Sequence, residues 1–376
     1  MARTIGIGSI VTGVFIGSML VLAACGCRSA NPPASGVQTA PEAAAAATPQ
    51  NATGSQGAQP PVAGDQTRRT RGSEGKPDES KPPVDLSLRF SPGSTATYRA
   101  ILEQERTVTW QGDESAKPPQ FKDGRSGTRI EVTFGQTVES VDTDGSAVVR
   151  IAIEGLKYAG AVRNNVPLEF DSQAVGDPNR PLAKLIGRSY RIKLSRRAEV
   201  LEVVDAGQAR SAVAGDSPEQ QVARKLLSDE EIRDRHAVAA MVALKDTQVR
   251  PGQQWSSVKG FSFGWMGSKS FERVYTLSGT AAKDGRQVAV VEMKAIPSAA
   301  MAEQRPQASG FGQMFDSTDN YNGRFELDLG SGQVREYIEQ MRSEWVVADP
   351  QTMQGGSRPA ALRMTAMRLN RLELVK

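Results

Sequence analysis

The chain is poor in the residues that most often carry chemistry. It holds two cysteines and one histidine in 376 residues. Both cysteines, Cys25 and Cys27, lie close to the N-terminus. The sequence beyond them therefore offers no disulfide framework, no cysteine zinc site and no thiol nucleophile. The lone histidine, His236, follows Arg233, Asp234 and Arg235 in a stretch of helical spacing. A serine–histidine pair needs an acid to orient the imidazole, and no Gly-x-Ser-x-Gly turn presents a serine. His236 is accordingly expected at a surface or half-buried position on a helix. A phosphate-cradling Gly-Lys-Ser/Thr loop is also missing. Neither sign of charge dominates: 46 Lys and Arg face 42 Asp and Glu, a formal net charge of +4. No basic stripe is interleaved with aromatics, so nucleic acid is not an expected partner.

Metal and acid–base sites fare little better. Asp316, Asp319, Asn320 and Asn322 before Gly323 suggest a calcium loop. The register fails, because Thr318 stands where the first Asp belongs and Leu329 where the closing Glu belongs. Two carboxylate pairs are spaced for acid–base work, Glu202 with Asp205 and Glu326 with Asp328. Strand alternation puts Glu326 and Asp328 opposite Phe325, Leu327 and Leu329, which reads as a solvated strand face. No enzyme activity, metal or cofactor is expected.

What is present begins with an address. Arg3 precedes an apolar run from Ile5 to Ala24, with Val14, Phe15, Ile16, Met19, Leu20, Val21 and Leu22 at its centre. A short basic start, an apolar core and small residues before a cut site mark an export signal. A retained transmembrane helix is the alternative, since about 20 residues just span a bilayer. The sequence Leu22-Ala23-Ala24-Cys25 resembles the lipobox of bacterial lipoproteins. That resemblance implies cleavage between Ala24 and Cys25, leaving residues 1–24 as a signal peptide and Cys25 as the lipidated residue. It further implies a membrane partner and a place in the bacterial cell envelope, facing periplasm or exterior. Gly26, where an Asp would retain the protein, favours the outer membrane if the cell has one. Cys27 reads as a bystander.

From Arg28 to Asp85 the chain has no Leu, Ile, Met, Phe, Tyr or Trp, and only three valines, Val37, Val62 and Val84. Such a stretch buries too little apolar surface to offset its ordering entropy. Residues 25–85 are expected to be a disordered Pro-, Ala- and Gly-rich tether, and about 60 residues of flexible coil span about 40–45 Å. Arg68, Arg69 and Arg71 are followed by Glu74, Asp78 and Glu79, a solvated charge run.

Residues 86–376, about 290 in all, suffice for one large domain or two lobes. Leu86, Leu88 and Phe90 alternate before Ser91-Pro92-Gly93, and a long strand is predicted from Thr95 to Trp110. Ile130, Val132 and Phe134 alternate, as do Val149, Ile151 and Ile153, and Tyr190, Ile192 and Leu194. One apolar and one polar face is the mark of antiparallel sheet solvated on one side. Asp142-Thr143-Asp144-Gly145 is a hairpin turn. Capping boxes at Ser217 and Ser228 start two helices within residues 217–246. A final strand pair is expected from Leu362 to Leu374, and a loop from Ala299 to Thr318. The fold class is thus mainly β (α+β), built of antiparallel meanders with a two-helix insert packed on the sheet.

The halves 86–205 and 250–376 echo one another. Pro92-Gly93 before Tyr98 matches Pro251-Gly252 before Trp255, and Thr143-Asp144-Gly145 matches Lys283-Asp284-Gly285. Gly187 to Leu194 matches Gly323 to Leu329, and residues 199–204 match 333–338. A duplicated meander of about 120 residues would produce these pairs. Shared hairpin chemistry would produce them without one.

The lipobox, the tether, Phe90-Ser-Pro-Gly-x₄-Tyr-Arg99, Pro251-Gly-x₂-Trp255 and Gly323-x-Phe-x-Leu-Asp-Leu-x-Ser-Gly332 together resemble a group of β-rich envelope lipoproteins. That group has no assigned activity to carry over. Meanders wrapped against helices are similar, at the level of fold, to periplasmic lipoprotein carriers, whose curved sheet holds acyl chains. The expected function is a non-catalytic binding or scaffolding module displayed from a membrane, with an envelope protein as partner. One alternative is a carrier or sensor for an apolar ligand or lipid; the other is a hydrolase of unknown type, against which the lack of nucleophile–base motifs argues. Trp255, Phe261, Phe263, Trp265 and Met266 cluster with Gly260, Gly264 and Gly267 between them. The plain reading is a strand pair whose aromatics finish the core. The sharper reading is a mobile aromatic lid over a ligand cleft.

Overall fold

The computed structural model describes residues 77–376 except 113, 115–116, 118–122, 163–164, 175, 264–267, 299–315 and 349–360. The signal, Cys25, Cys27 and the tether up to residue 76 lie outside the described residues, as do Trp265 and Met266. Among the described residues no helix is long and apolar enough to cross a membrane.

The mainly β reading holds. Fourteen strands and four helices are described. The strands are β1 (Val84–Asp85), β2 (Thr95–Gln111), β3 (Gly124–Val141), β4 (Ala147–Val162), β5 (Asn165–Asp171), β6 (Ser189–Leu194) and β7 (Val200–Val204). Helices α1 (Ala206–Ser211), α2 (Pro218–Leu226), α3 (Asp229–His236) and α4 (Ala239–Val242) follow. The second half holds β8 (Gln248–Val249), β9 (Gln254–Ser262), β10 (Ser268–Lys283), β11 (Arg286–Pro297), β12 (Asp316–Asp328), β13 (Gln333–Ala348) and β14 (Ala361–Leu374). One 12-stranded sheet runs β7-β6-β4-β3-β2-β14-β13-β12-β11-β10-β9, with β5 beside β4, and β1 pairs β8 apart from it. Every pairing is antiparallel.

Alternation builds the two faces. Along β2, Ala96, Tyr98 and Ala100 are buried, while Arg99 turns outward and pairs with Glu131 and Glu373 on the strands either side. Arg129–Glu103 and Arg371–Glu336 continue this outer lattice of cross-strand ion pairs. Such pairs register strands more than they stabilise them. The inner face carries Phe134, Ile151, Tyr190, Leu277, Val291 and Phe325, all nearly inaccessible. Full burial of a side chain of this size is worth about 1.5–3 kcal/mol.

The paired motifs occupy corresponding places. They fall on β2 and β9, on the β3–β4 and β10–β11 turns, on β6 and β12, and on β7 and β13. The two series run through the sheet in the same direction, and β14 joins them. Gly93 and Gly252 both adopt positive φ, +79° and +81°. Each donates its N–H to the next strand, to Val138 O and Leu277 O.

Several expectations need correction. The expected tether ends before residue 85: Asp78 N–H bonds Pro251 O, and Val84–Asp85 forms β1 on β8. Leu86 and Leu88 are buried, but their N–H groups are tied to Thr247 O and Arg196 O rather than placed in a strand. The C-terminal strand pair is a single strand, β14, and β12 begins at Asp316, inside the expected loop. Ser217 caps α2 with the full capping box expected, and Ser228 caps α3 with its hydroxyl accepting the Glu231 N–H, the return bond from Glu231 being absent among the described residues. The second helix nevertheless stops at His236. Ala237 is extended, and the Val238 N–H turns to Ala198 O beside β7. This lets Val238 bury fully before α4 restarts. The first helix, α1, has no counterpart in the sequence reading. Its six residues include Gly207, and Asp205 before it sits at φ +59° without a side-chain cap, so no start signal shows.

A candidate ligand cavity between sheet and helices

The sheet curls. Strands lie about 4.8 Å apart, so β9 and β14, five places apart, would stand about 24 Å from each other in a flat sheet. Yet the Arg368 guanidinium of β14 lies 5.1 Å from the Phe261 ring centre on β9. The second half of the sheet therefore wraps round on itself. The helices close the remaining side. Tyr190 of β6 and His236 of α3 share a 2.8 Å hydrogen bond, and Trp255 of β9 donates its indole N–H to Ala240 O at 2.7 Å.

Between helices and curl lies a cavity of about 400 Å³. That falls in the range of small-molecule sites. One wall is apolar, with Ala100 and Leu102 from β2, Ile130 and Val132 from β3, and Leu226 and Ala239 from the helices. Phe261 and Met341 continue it, while Glu231, Asp234 and Arg235 of α3 bring charge to the helical side. The opposite wall is polar and belongs to β9, β10, β12, β13 and β14. There Glu339 is 4 % exposed. It accepts from Arg273 at 3.0 Å, from Tyr321 Oη at 2.8 Å and from Tyr337 Oη at 2.5 Å, with Lys259 Nζ at 3.7 Å. Desolvation pushes its carboxyl up, but Lys259, Arg273 and the two hydroxyls outweigh that and hold it below the usual glutamate value. Glu339 is thus ionised, and both tyrosines donate to it. Burial, first of all, raises Tyr275 to about 12 and pushes Tyr321 and Tyr337 up as well.

Glycine makes room for this carboxylate. Gly323 on β12 sits opposite Glu339. A Cβ there would lie 2.6 Å from Ile338 O and 3.4 Å from Glu339 Cγ.

The aromatic cluster predicted as a ligand site divides. Trp255, half-buried, stacks on Tyr275 with ring centres 5.8 Å apart and anchors β9 to α4. Phe263 is buried edge-on against Trp345, centres 4.8 Å apart, and finishes the core. Phe261, also buried, lines the cavity. Trp255 and Phe261 thus lie on β9 and Phe263 just past its end, and of the three only Phe261 lines the cavity.

His236 is buried at 5 % exposure, which corrects the surface or half-buried expectation. Its helix presents Ile232 and His236, one turn apart, to the sheet. The ring meets Phe134 edge-on, with centres 4.6 Å apart. Burial, with Arg235 adding repulsion, drives its pKa well below 6.5. The imidazole is therefore neutral near pH 7.

Glu326 and Asp328 are 1 % and 2 % exposed rather than solvated. Lys283 and Arg324 each reach Glu326 at 2.8 Å, and Arg286 reaches Asp328 at 3.0 Å. Asp328 also accepts the N–H groups of Gly330 and Ser331 and so fixes the β12–β13 turn. Long cationic side chains lie across these carboxylates and exclude water from them. Among the described residues no group of three or more His, Cys, Asp or Glu is placed to hold a metal.

No protein family matches the chain, and no curated protein matches it. Among solved structures it is similar to a chain in a study of lipid–protein interactions in lipovitellin, at 11 % identity and TM-score 0.35, over 77 % of this chain and 26 % of that one. The chain thus spans about a quarter of the lipovitellin chain. DynF, from the dynemicin biosynthesis pathway of Micromonospora chersina, aligns at 8 % identity and TM-score 0.17, over 82 % and 92 % of the two chains. A DUF1329 family protein from Desulfovibrio piger aligns at 9 % identity and TM-score 0.12, over 74 % and 85 %.

Proposed function

We propose that this protein is a non-catalytic carrier or sensor that holds one apolar or amphipathic ligand in the cavity between helices α2–α4 and the curled sheet. The carrying observation is the cavity of about 400 Å³ lined by Ala100, Leu102, Ile130, Val132, Leu226 and Ala239. A scaffold would have no need to leave such space in a close-packed interior. We further propose that the domain hangs from the outer face of a bacterial membrane, the outer one where there are two. Its anchor is lipid on Cys25, and the chain from residue 26 to about residue 76 serves as the spacer, since Asp78 N–H bonds Pro251 O and Val84–Asp85 pairs with β8. Leu22-Ala23-Ala24-Cys25 supports that placement. Two or more acyl chains on the cysteine give stable attachment, because each buried CH₂ contributes about 0.8 kcal/mol.

Binding is tested on the unlipidated mature polypeptide, residues 25–376, with a dansyl-labelled undecanoic acid. Saturable one-to-one enhancement of dansyl fluorescence, reversed by dodecanoate, is expected. Ile130→Trp, which fills the apolar wall, is expected to abolish it without lowering the thermal midpoint by more than a few degrees. Enhancement that never saturates, or that Ile130→Trp leaves intact, would remove the cavity as the site. The anchor is tested by palmitate labelling in cells. Cys25→Ala is expected to lose the label and leave the membrane fraction, and undiminished labelling would refute it.

A further inference from the structure

The cations of the polar wall are not all alike. Arg273 and Lys259 converge on Glu339, at 3.0 and 3.7 Å. Arg368 has no such acid: among the described residues its contacts are Ser262 O at 3.4 Å and the ring faces of Phe261 and Phe263, at 5.1 and 6.0 Å. Two acids on the helical side of the cavity, Glu231 and Asp234, form no ion pair with it, and Glu231 meets Lys225 at 3.5 Å.

A guanidinium carries five N–H donors in a planar fork and stays charged at any ordinary pH. Ring faces attract it but accept no conventional hydrogen bonds, and cations taken out of water are normally paired. Arg368 is half-buried and lines the cavity. Its neighbours across the sheet at the same level, Gln104 and Met341, are neutral. Over the whole lining, four cations (Arg235, Lys259, Arg273 and Arg368) stand against three carboxylates (Glu231, Asp234 and Glu339), an excess of one positive charge. The local field therefore favours a negative charge.

We propose that the cavity selects anionic amphiphiles, with Arg368 taking the carboxylate or phosphate head group and the apolar wall of Leu102, Ile130 and Leu226 taking the chain. This rests on the reading of the cavity as a ligand site and adds the head-group chemistry. Arg368 is the specificity-determining residue, and planar two-toothed contact to a carboxylate or phosphate suits its fork.

Four amphiphiles sharing one tail test it by calorimetry on residues 25–376: dodecanoate, dodecyl phosphate, dodecanol and dodecyltrimethylammonium. Dodecanoate or dodecyl phosphate is expected to bind at least about tenfold tighter than dodecanol, the scale of one charge-assisted hydrogen bond. The tighter of the two anions identifies the head group. Arg368→Met is expected to erase that preference by bringing anion affinity down to that of dodecanol, and Arg368→Lys to retain most of it. Saturable dodecanol binding and an intact thermal midpoint certify that the Met variant is folded. Equal affinity for dodecanol and both anions, or an anion preference that survives Arg368→Met, overturns the head-group assignment alone. Absence of binding by all four overturns the ligand reading together with it.

Discussion

Replacing Glu339 by Gln removes the one carboxylate on the polar wall while keeping its shape and one acceptor oxygen. Glu339 and Arg273 are 4 % and 7 % exposed and 3.0 Å apart. Loss of one member of a buried pair leaves the other as an uncompensated charge, at a cost of about 3–5 kcal/mol. Lys259 adds little. Its side chain is 40 % exposed at 3.7 Å, and solvent screens such a contact to about 0–1 kcal/mol. The Tyr321 and Tyr337 hydroxyls now share one neutral acceptor instead of two charged ones, and this overlaps with the first term rather than adding to it. The expected loss is about 3–5 kcal/mol in urea unfolding followed by circular dichroism. A second substitution, Arg273→Met, removes the stranded cation, so the double variant is expected to recover more than half of that loss. A cost under about 1 kcal/mol for Glu339→Gln would show that the pair is not shielded from water. Strict additivity of the two substitutions would show that they are not coupled.

Two further outcomes follow from the same geometry. The His236 pKa is depressed in the folded state, so the unfolded chain binds the proton more readily. Stability from this group is complete above pH 6.5 and falls with acidification below it, by up to about 1.4 kcal/mol per pH unit until the folded ring titrates. A His236→Gln variant is expected to flatten that part of the stability–pH curve, and an unchanged slope would assign it to other groups. Gly323→Ala is expected to destabilise by about 1–3 kcal/mol, because its methyl group meets backbone at Ile338 O. A neutral result in thermal melts would mean that β12 and β13 separate freely there.

Period-two alternation makes much of the fold legible. It places Trp255, Ser257, Lys259 and Phe261 on one face of β9, and β2 matches its expected span to within a residue. Side-chain capping likewise reveals α2 and α3. Curl is not legible, because it depends on which strands meet at long range, and no local pattern tells a flat meander from one that closes. The polar wall was missed for the same reason. Read alone, Glu339, Arg273 and Arg368 look like ordinary solvated strand charges. A weak signal was available: on β13 the series Tyr337, Glu339, Met341, Ser343, Trp345 and on β10 the series Phe271, Arg273, Tyr275 set a charge between inward-facing aromatic or apolar residues. Glu326 and Asp328 misled in the same way, since alternation cannot show that neighbouring arginines and a lysine will lie across them.

The central claim, that the cavity holds an apolar chain, is tested most directly by crystallography of the protein with terminally brominated dodecanoate. The account predicts one anomalous bromine peak against Ile130 and Leu226, away from Phe261, with the carboxylate at Arg368. A cavity whose walls stay closed around nothing, with bromine only on the outer surface, would contradict it.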